Sequence, residues 1–475
     1  MNTSTVRITQ IRIENFKNVT MGKLSLENHR KDYKASILGL YGQNGSGKTA
    51  LIDAIQLLKY ALTGCEIPSI FAEYIHVDAT FAHLMYTFEI SKAQQRYHLQ
   101  YDFSIRKVLD ASSQNLDLGE SSSAKSKVEI FDEVLRCSYT GEGNRSRCNP
   151  IINTITEDDV FIPRSKCQLL LGGSKKTMTD LFVAKKLAQA TSRSFIFSRE
   201  LLTAIRKRSA TNTSTDAKSY TDILDILVDF GNFELFVIDT KNSGLINLNL
   251  QPLSFKVEGS KRNAVGTIML RLDQPDTIPL DAVNIVKSVV NSMNTVLQQI
   301  VPGLTICVKE LGSQLLPNGK DGMRIQLVSC KNRREIPLCY ESDGIKKIIS
   351  ILHLLIILYN QPSITVAIDE LDSGIFEYLL GELLRIIAEK GKGQLIFTSH
   401  NLRPLETLDK GFIAFTTTNT KKRYIRLSNV KETNNLRDFY FRDITLGEQR
   451  EEVYKPTDNA EIALAFREAA EIHGA

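Results

Sequence analysis

Apolar and polar residues alternate through residues 6–18, Val-Arg-Ile-Thr-Gln-Ile-Arg-Ile-Glu-Asn-Phe-Lys-Asn, which predicts a strand with one buried face. A second apolar run at 35–40 stops at a glycine-rich turn. Beyond the turn, Leu51, Ile52, Ile55, Leu58 and Ala61 recur at helical spacing, so residues 50–63 read as a helix. Residues 86–90 and 97–105 predict a hairpin, and the Ser-rich stretch 112–127 a loop. Residues 177–208 and 220–228 read as helical, with a loop at 209–219 between them. Val283, Val286, Val290, Met293, Leu297 and Ile300 then form the stripe of an amphipathic helix that stops at Pro302.

The C-terminal third alternates element types. Residues 344–359 predict a strongly apolar helix, 364–368 a short buried strand, 376–388 a helix and 394–397 another buried strand. That alternation predicts an α/β core with a largely parallel sheet. No internal repeat is visible.

Composition narrows the class. The chain has 475 residues, 42% hydrophobic and 24% charged, which excludes global disorder and a fibrous fold. A net charge of +5 is too small to imply a nucleic-acid partner. The polar start at 1–10 lacks the apolar stretch of a secretory signal. The longest nearly apolar run, 348–359, is too short for a membrane-spanning helix, which needs about 20 residues. Cysteines stand at 65, 137, 148, 167, 307, 330 and 339 with no Cys-x-x-Cys pair. They indicate neither a disulfide framework nor a zinc site, and read mostly as small core residues of a cytoplasmic protein.

The candidate chemistry starts at Gly42-Gln43-Asn44-Gly45-Ser46-Gly47-Lys48-Thr49, a full match to the G-x-x-x-x-G-K-[ST] phosphate loop, set between a predicted strand and a predicted helix. Its glycines let the backbone wrap so that N–H groups point inward at phosphate oxygens. The helix that follows adds its positive end. Asn44, Gly45, Ser46 and Gly47 belong to that cradle with Gly42. Lys48 reaches the β- and γ-phosphates, and the Thr49 hydroxyl ligates Mg²⁺. Such a loop needs a metal-binding acid at the end of another strand. Ile364-Thr365-Val366-Ala367-Ile368-Asp369-Glu370 supplies two carboxylates, Asp369 for Mg²⁺ and Glu370 to polarise the attacking water. The next apolar strand ends in Thr398-Ser399-His400-Asn401. Alone, His400 would read as a capping histidine; one strand on from Asp369 and Glu370, it is placed to hydrogen-bond a γ-phosphate.

In this order the motifs resemble the ABC-type ATPases of the SMC and RecF kind. Tyr340-Glu341-Ser342-Asp343-Gly344-Ile345-Lys346 resembles the Leu-Ser-Gly-Gly-Glu-Lys signature of that family, matching at Ser342, Gly344 and Lys346 and departing at Glu341, Asp343 and Ile345. The resemblance implies that Ser342 and Gly344 cap a helix that binds the γ-phosphate of a second subunit, so that two heads close around two ATP molecules. Ile13-Glu14-Asn15-Phe16-Lys17-Asn18 resembles the family's opening strand, which puts Lys17 near the nucleotide. Leu371-Asp372-Ser373 falls where the family has its dimer-interface D-loop, although Phe376 replaces the later polar residue. No glutamine is fixed as the Q-loop residue; Gln94, Gln95 and Gln100 lie in the region.

The implied architecture is an α/β, ABC-type head with a mixed, largely parallel sheet and an antiparallel β subdomain, plus a mainly helical insert. Residues 1–105 would form the N-terminal lobe with the phosphate loop. Residues 106–335 would form a partly helical, basic insert returning to the head near its end. Residues 336–475 would form the C-terminal lobe. No heptad pattern is sustained in the insert, which argues against the long coiled-coil arm of the SMC type. From 164 to 208, eleven Lys/Arg face two acidic residues, a local net charge of +9 that could attract DNA, RNA or an acidic protein. No nuclease constellation is visible after His400. The layout resembles the standalone ATPases related to the OLD family, of the PtuA and AriA kind found in bacterial phage-defence operons. That resemblance implies ATP and Mg²⁺ as cofactors, a homodimer or higher oligomer, a separately encoded effector such as a nuclease or toxin, and no membrane. A RecF-like DNA-repair ATPase is the alternative.

Overall fold

The computed structural model describes residues 4–27, 35–92, 95–109, 126–141, 144–145, 147–258, 263–331, 334–428, 430, 435–447 and 449–472 of the chain. At its centre is a six-stranded sheet in the order Tyr424–Ile425, Ile413–Thr416, Ser36–Tyr41, Gln394–Thr398, Thr365–Ile368 and Leu235–Ile238. All neighbours run parallel except the outermost pair at Tyr424–Ile425. Parallel strands need covered faces, and the alternation of side chains supplies two different coats. Leu38, Leu40, Ala367, Ile396 and Ala414 point to one core. Ile37, Tyr41, Val366, Ile368, Leu395, Phe397, Ile413 and Phe415 point to the other.

The first core is filled by the helix Lys48–Thr63, which buries Leu51, Ile52, Ile55, Leu57, Leu58 and Leu62 between two sheets. The second of these sheets is antiparallel and seven-stranded, built on Thr5–Phe16, Val19–Ser25, Phe81–Lys92, Gln95–Leu109 and Ser126–Gly141. Each fully buried Leu or Ile on that helix contributes about 1.5–3 kcal/mol, so the phosphate loop feeds into one of the best-anchored elements. The two sheets are also pinned directly. The buried Gln394 amide accepts from Ile8 N at 3.0 Å and donates to Ile8 O at 2.7 Å.

The second core packs the helices Asp343–Asn360, Glu377–Lys390, Leu280–Ile300 and Leu436–Leu446 on the far face. The predicted α/β class with a mixed sheet and an antiparallel subdomain is what the chain adopts. Between the strands Asn149–Asn153 and Leu235–Ile238 the chain forms the helices Arg164–Leu171, Lys175–Ala190, Arg199–Thr211 and Thr215–Asp229. The single helix expected over 177–208 is therefore two, broken where Ser192 turns left-handed (φ 56°) and Phe195, Ile196 and Phe197 plug into the core.

The span 106–335 also holds two hairpins, Leu250–Glu258 with Asn263–Arg271 and Thr305–Leu315 with Asp321–Lys331, with the helix Leu280–Ile300 between them. The longest helix among the described residues, Leu280–Ile300, has 21 residues, and none is long and apolar enough to cross a membrane. Most of the loop read at 112–127, and Gln94, lie outside the described residues. The cysteines depart from expectation: only Cys167 is buried, while Cys65, Cys148 and Cys307 are exposed. Strand-edge and loop positions, where side chains alternate outward, account for the difference.

Candidate functional site

The strand Ser36–Tyr41 runs straight into the phosphate loop, and the helix starts at Lys48 with Gly47 as its cap at φ 96°. Gly42 is required by crowding: a Cβ there would stand 1.7 Å from Thr416 Oγ1, at a backbone φ of 151°. Thr416 in turn hydrogen-bonds Ser46 Oγ at 2.5 Å, so the loop is braced from the neighbouring strand. Inside the loop the Lys48 ammonium donates to Gly42 O at 2.8 Å and Gln43 O at 3.1 Å. Burial pushes the Lys48 pKa down, and the carboxylates of Asp369, Glu370 and Asp372 pull it back up.

The paired acids stand at the end of Thr365–Ile368, next to the strand that ends in Thr398. Their positions are set by one hydroxyl. Thr398 Oγ1 donates to Asp369 Oδ1 at 2.5 Å and accepts from Glu370 N at 2.8 Å. Asp369 is buried, yet its Oδ2 has no hydrogen-bond partner. A buried, orphaned carboxylate oxygen fits a cation such as Mg²⁺, and the Thr49 hydroxyl lines the same pocket. Glu370 holds a left-handed backbone, φ 49°, which costs a non-glycine residue about 1–3 kcal/mol. Its exposed side chain also lines the pocket.

One cavity of about 510 Å³ gathers Lys17, Asn44, Gly45, Gly47, Lys48, Thr49, Asp369, Glu370 and His400, all singled out from the sequence. Gly42 and Ser46 lie behind it in the loop. Lys17, itself at φ 51°, pairs with Asp53 and stands 4.0 Å over the Tyr74 ring. Burial raises the Asp53 carboxyl against the pull of Lys17. Ser342 and Gly344 are not in this pocket. Ser342 Oγ accepts from Ile345 N at 3.3 Å and caps the helix Asp343–Asn360. A Cβ on Gly344 would meet Gly374 O at 2.1 Å, so the signature turn and the loop after Asp369-Glu370 are packed backbone to backbone.

Several contributors were not read as site residues. Asn18 donates to Gly45 O and lines the pocket, and Thr398 orients both acids. Asp372, expected at a dimer-interface loop, turns inward and accepts from His400 N at 3.1 Å and Asn401 N at 3.0 Å, setting the histidine turn. Tyr424 OH donates to Gly47 O at 2.9 Å, and Arg423 to Asn18 O at 2.5 Å. Lys347, buried one turn into the signature helix, has its pKa lowered by burial against the raising influence of Glu370, Asp369 and Asp372. A hydroxyl closing an apolar strand, as in Gln-Leu-Ile-Phe-Thr, was the available signal for Thr398. The others come from distant segments and left none.

The chain is similar in structure to an SMC head bound to the C-winged helix domain of ScpA, at 12% identity over 89% of this chain and 98% of that one, TM-score 0.35. It is also similar to the SMC head domain from Thermotoga maritima, at 13% identity over 89% and 99%, TM-score 0.36. For the recombination mediator protein RecF with ATP the figures are 14%, 84%, 94% and 0.31. No curated protein sequence matches the chain. At these TM-scores the family rests on sequence instead: the AAA ATPase domain family matches residues 7–403. That span runs from the first strand past the histidine turn and takes in every residue lining the pocket, and on that extent the chain belongs to the AAA ATPase domain family.

Proposed function

We propose that the protein is an ABC-type ATPase whose two copies close around ATP and Mg²⁺ and reopen after hydrolysis, acting as a switch for a separate effector. The observation that carries this reading is the division of the motifs. The pocket holds the phosphate loop, the paired acids and His400, while Ser342 and Gly344 stand outside it. The loop N–H groups and Lys48 bind the β- and γ-phosphates, and Lys17 lies at the rim. Thr49 and the free oxygen of Asp369 would hold Mg²⁺, which would supply charge neutralisation on the phosphates. Glu370 accepts the proton of the attacking water, and His400 hydrogen-bonds the γ-phosphate. The Ser342–Gly344 turn of a second copy completes the site.

The effector would be a separately encoded nuclease or toxin, in a bacterial antiphage system in the cytoplasm. Support for that branch is the resemblance to standalone OLD-related ATPases. The test is Glu370→Gln with ATP and Mg²⁺: nucleotide binding is retained, turnover is lost, and the chain accumulates as a dimer. Wild-type turnover by that variant would remove Glu370 from the chemistry.

One observation favours a second reading, a RecF-like ATPase that binds DNA. Within 164–208, Arg164, Arg193 and Arg206 are neutralised by Asp159, Glu66 and Asp225, and Lys185 is buried on the Thr156 and Asp159 carbonyls. Lys175, Lys176, Lys186, Arg199, Lys207 and Arg208 are exposed and belong to no ion pair among the described residues. Duplex DNA that stimulates turnover, with the effect lost when these six become Glu, would favour this reading.

A further inference from the structure

Cys307 lies on the strand Thr305–Leu315 and Cys330 on its antiparallel neighbour Asp321–Lys331. The register opposes Thr305 to Cys330 and Cys307 to Val328, so the two cysteines are diagonal neighbours on one face of the hairpin. Across that diagonal the Cys330 thiol donates to Cys307 Sγ, with the sulfurs 3.0 Å apart. A disulfide bond measures about 2.05 Å, so the sulfurs must approach by about 1 Å to bond. Cys307 is exposed and Cys330 half-buried, which gives the pair an accessible first sulfur and a sheltered second one.

We propose that Cys307 and Cys330 form a thiol–disulfide exchange site that takes small-molecule disulfides and ends as a reversible cross-strand disulfide. Cys307, as thiolate, attacks one sulfur of the small disulfide. The S–S bond breaks, a mixed disulfide forms on Cys307, and one small thiolate leaves. Cys330 then loses its proton to solvent and its sulfur attacks Cys307 Sγ, releasing the second small thiol. Two protein thiols are oxidised and one disulfide is reduced to two thiols, so electrons and atoms balance. Burial and the neighbouring Cys307 push the Cys330 thiol up to about 11. Exposure makes Cys307 the entry point and half-burial makes Cys330 the resolving group, reactive once the mixed disulfide sits beside it.

The site adjoins the signature segment. Ser329, next to Cys330, is buried and donates through its hydroxyl to Glu341 Oε1 at 2.6 Å, and Glu341 directly precedes the Ser342 cap. The exchange chemistry itself does not depend on the nucleotide reading. The experiment incubates the reduced full chain with glutathione disulfide and follows intact mass and mapped peptides. The expected result is loss of the two thiols of Cys307 and Cys330 as a linked peptide, with no glutathione retained on either of these two positions, whatever the exposed Cys65 and Cys148 take up, and full reversal by dithiothreitol. Cys330→Ser should instead trap glutathione on Cys307, and Cys307→Ser should remove the reaction at both positions. Wild-type chain that keeps glutathione on Cys307 would overturn the proposal. So would wild-type chain whose two thiols stay reduced under conditions that oxidise them after unfolding.

Discussion

Thr398 is the residue on which both acids depend, and Thr398→Val is the perturbation that reads its contribution. The side chain is fully buried, and valine keeps its shape while deleting the hydroxyl. Two bonds vanish: the one donated to Asp369 Oδ1 at 2.5 Å and the one accepted from Glu370 N at 2.8 Å. Asp369 Oδ2 already lacks a partner, so the variant leaves a buried carboxylate with neither oxygen held by Thr398. A hydrogen bond to a charged group contributes about 1.5–3 kcal/mol and a neutral one about 0.5–1.5, giving a loss of about 2–4.5 kcal/mol. Urea unfolding should show it as a lower midpoint at unchanged slope. The Glu370 backbone, left-handed at φ 49° and no longer tethered through its N–H, should relax away from the pocket. Steady-state ATP turnover should fall by about tenfold or more, a barrier change of about 1.4 kcal/mol. Thr398→Ser keeps the hydroxyl and should restore both measurements. A valine variant with wild-type stability and wild-type turnover would show that the hydroxyl positions neither acid.

Three further outcomes follow from named contacts. Gly42→Ala puts a methyl 1.7 Å from Thr416 Oγ1, so the phosphate loop must move; ATP affinity measured by calorimetry should drop by at least about tenfold, with about 1–3 kcal/mol of stability lost to overpacking. Gly344→Ala drives a methyl into Gly374 O and should reduce turnover while monomeric ATP binding, read by the same titration, stays close to wild type. Glu133 is fully buried, and burial raises its carboxyl above the usual 4.5 although Ser194, Phe195 N and Tyr101 donate to it. The folded chain therefore keeps this proton to higher pH than the unfolded chain, and Glu133 takes away stability as pH rises from 4.5 through the raised value. Glu133→Gln should flatten that part of the stability-versus-pH curve, measured by unfolding at acidic and neutral pH; an unchanged slope would assign it to another group.

Local patterns carried most of the nucleotide site. The run before Gly42 and the helical spacing after Thr49 correspond to Ser36–Tyr41 and Lys48–Thr63, and the two short apolar runs to Thr365–Ile368 and Gln394–Thr398. These elements are legible because each is buried on both faces or carries a full helical stripe, so its hydrophobic period is strong within a few residues. The span 106–335 was harder. Leu235–Ile238 pairs with Thr365–Ile368, far later in the chain, and four apolar residues do not distinguish a sheet edge from a buried helix segment. Ser126–Gly141 gains its strand character from pairing with Gln95–Leu109 rather than from a clean alternation of its own. The braces on the phosphate loop are longer in reach still. Gln43 exchanges hydrogen bonds with the Lys455 backbone at 3.1 and 3.4 Å, a contact between residues near opposite ends of the chain that no local spacing encodes.

The central claim is that the signature turn acts on the pocket of another copy, and subunit mixing tests it most directly. Lys48→Ala disables the pocket and leaves Ser342 intact; Ser342→Arg does the reverse. Each variant alone should be inactive. Mixed in equal amounts, they should recover about a quarter of wild-type turnover per subunit, because half the twofold dimers are mixed and each has one complete site. Full turnover by Ser342→Arg alone, or no recovery on mixing two folded variants that form dimers together, would contradict the account.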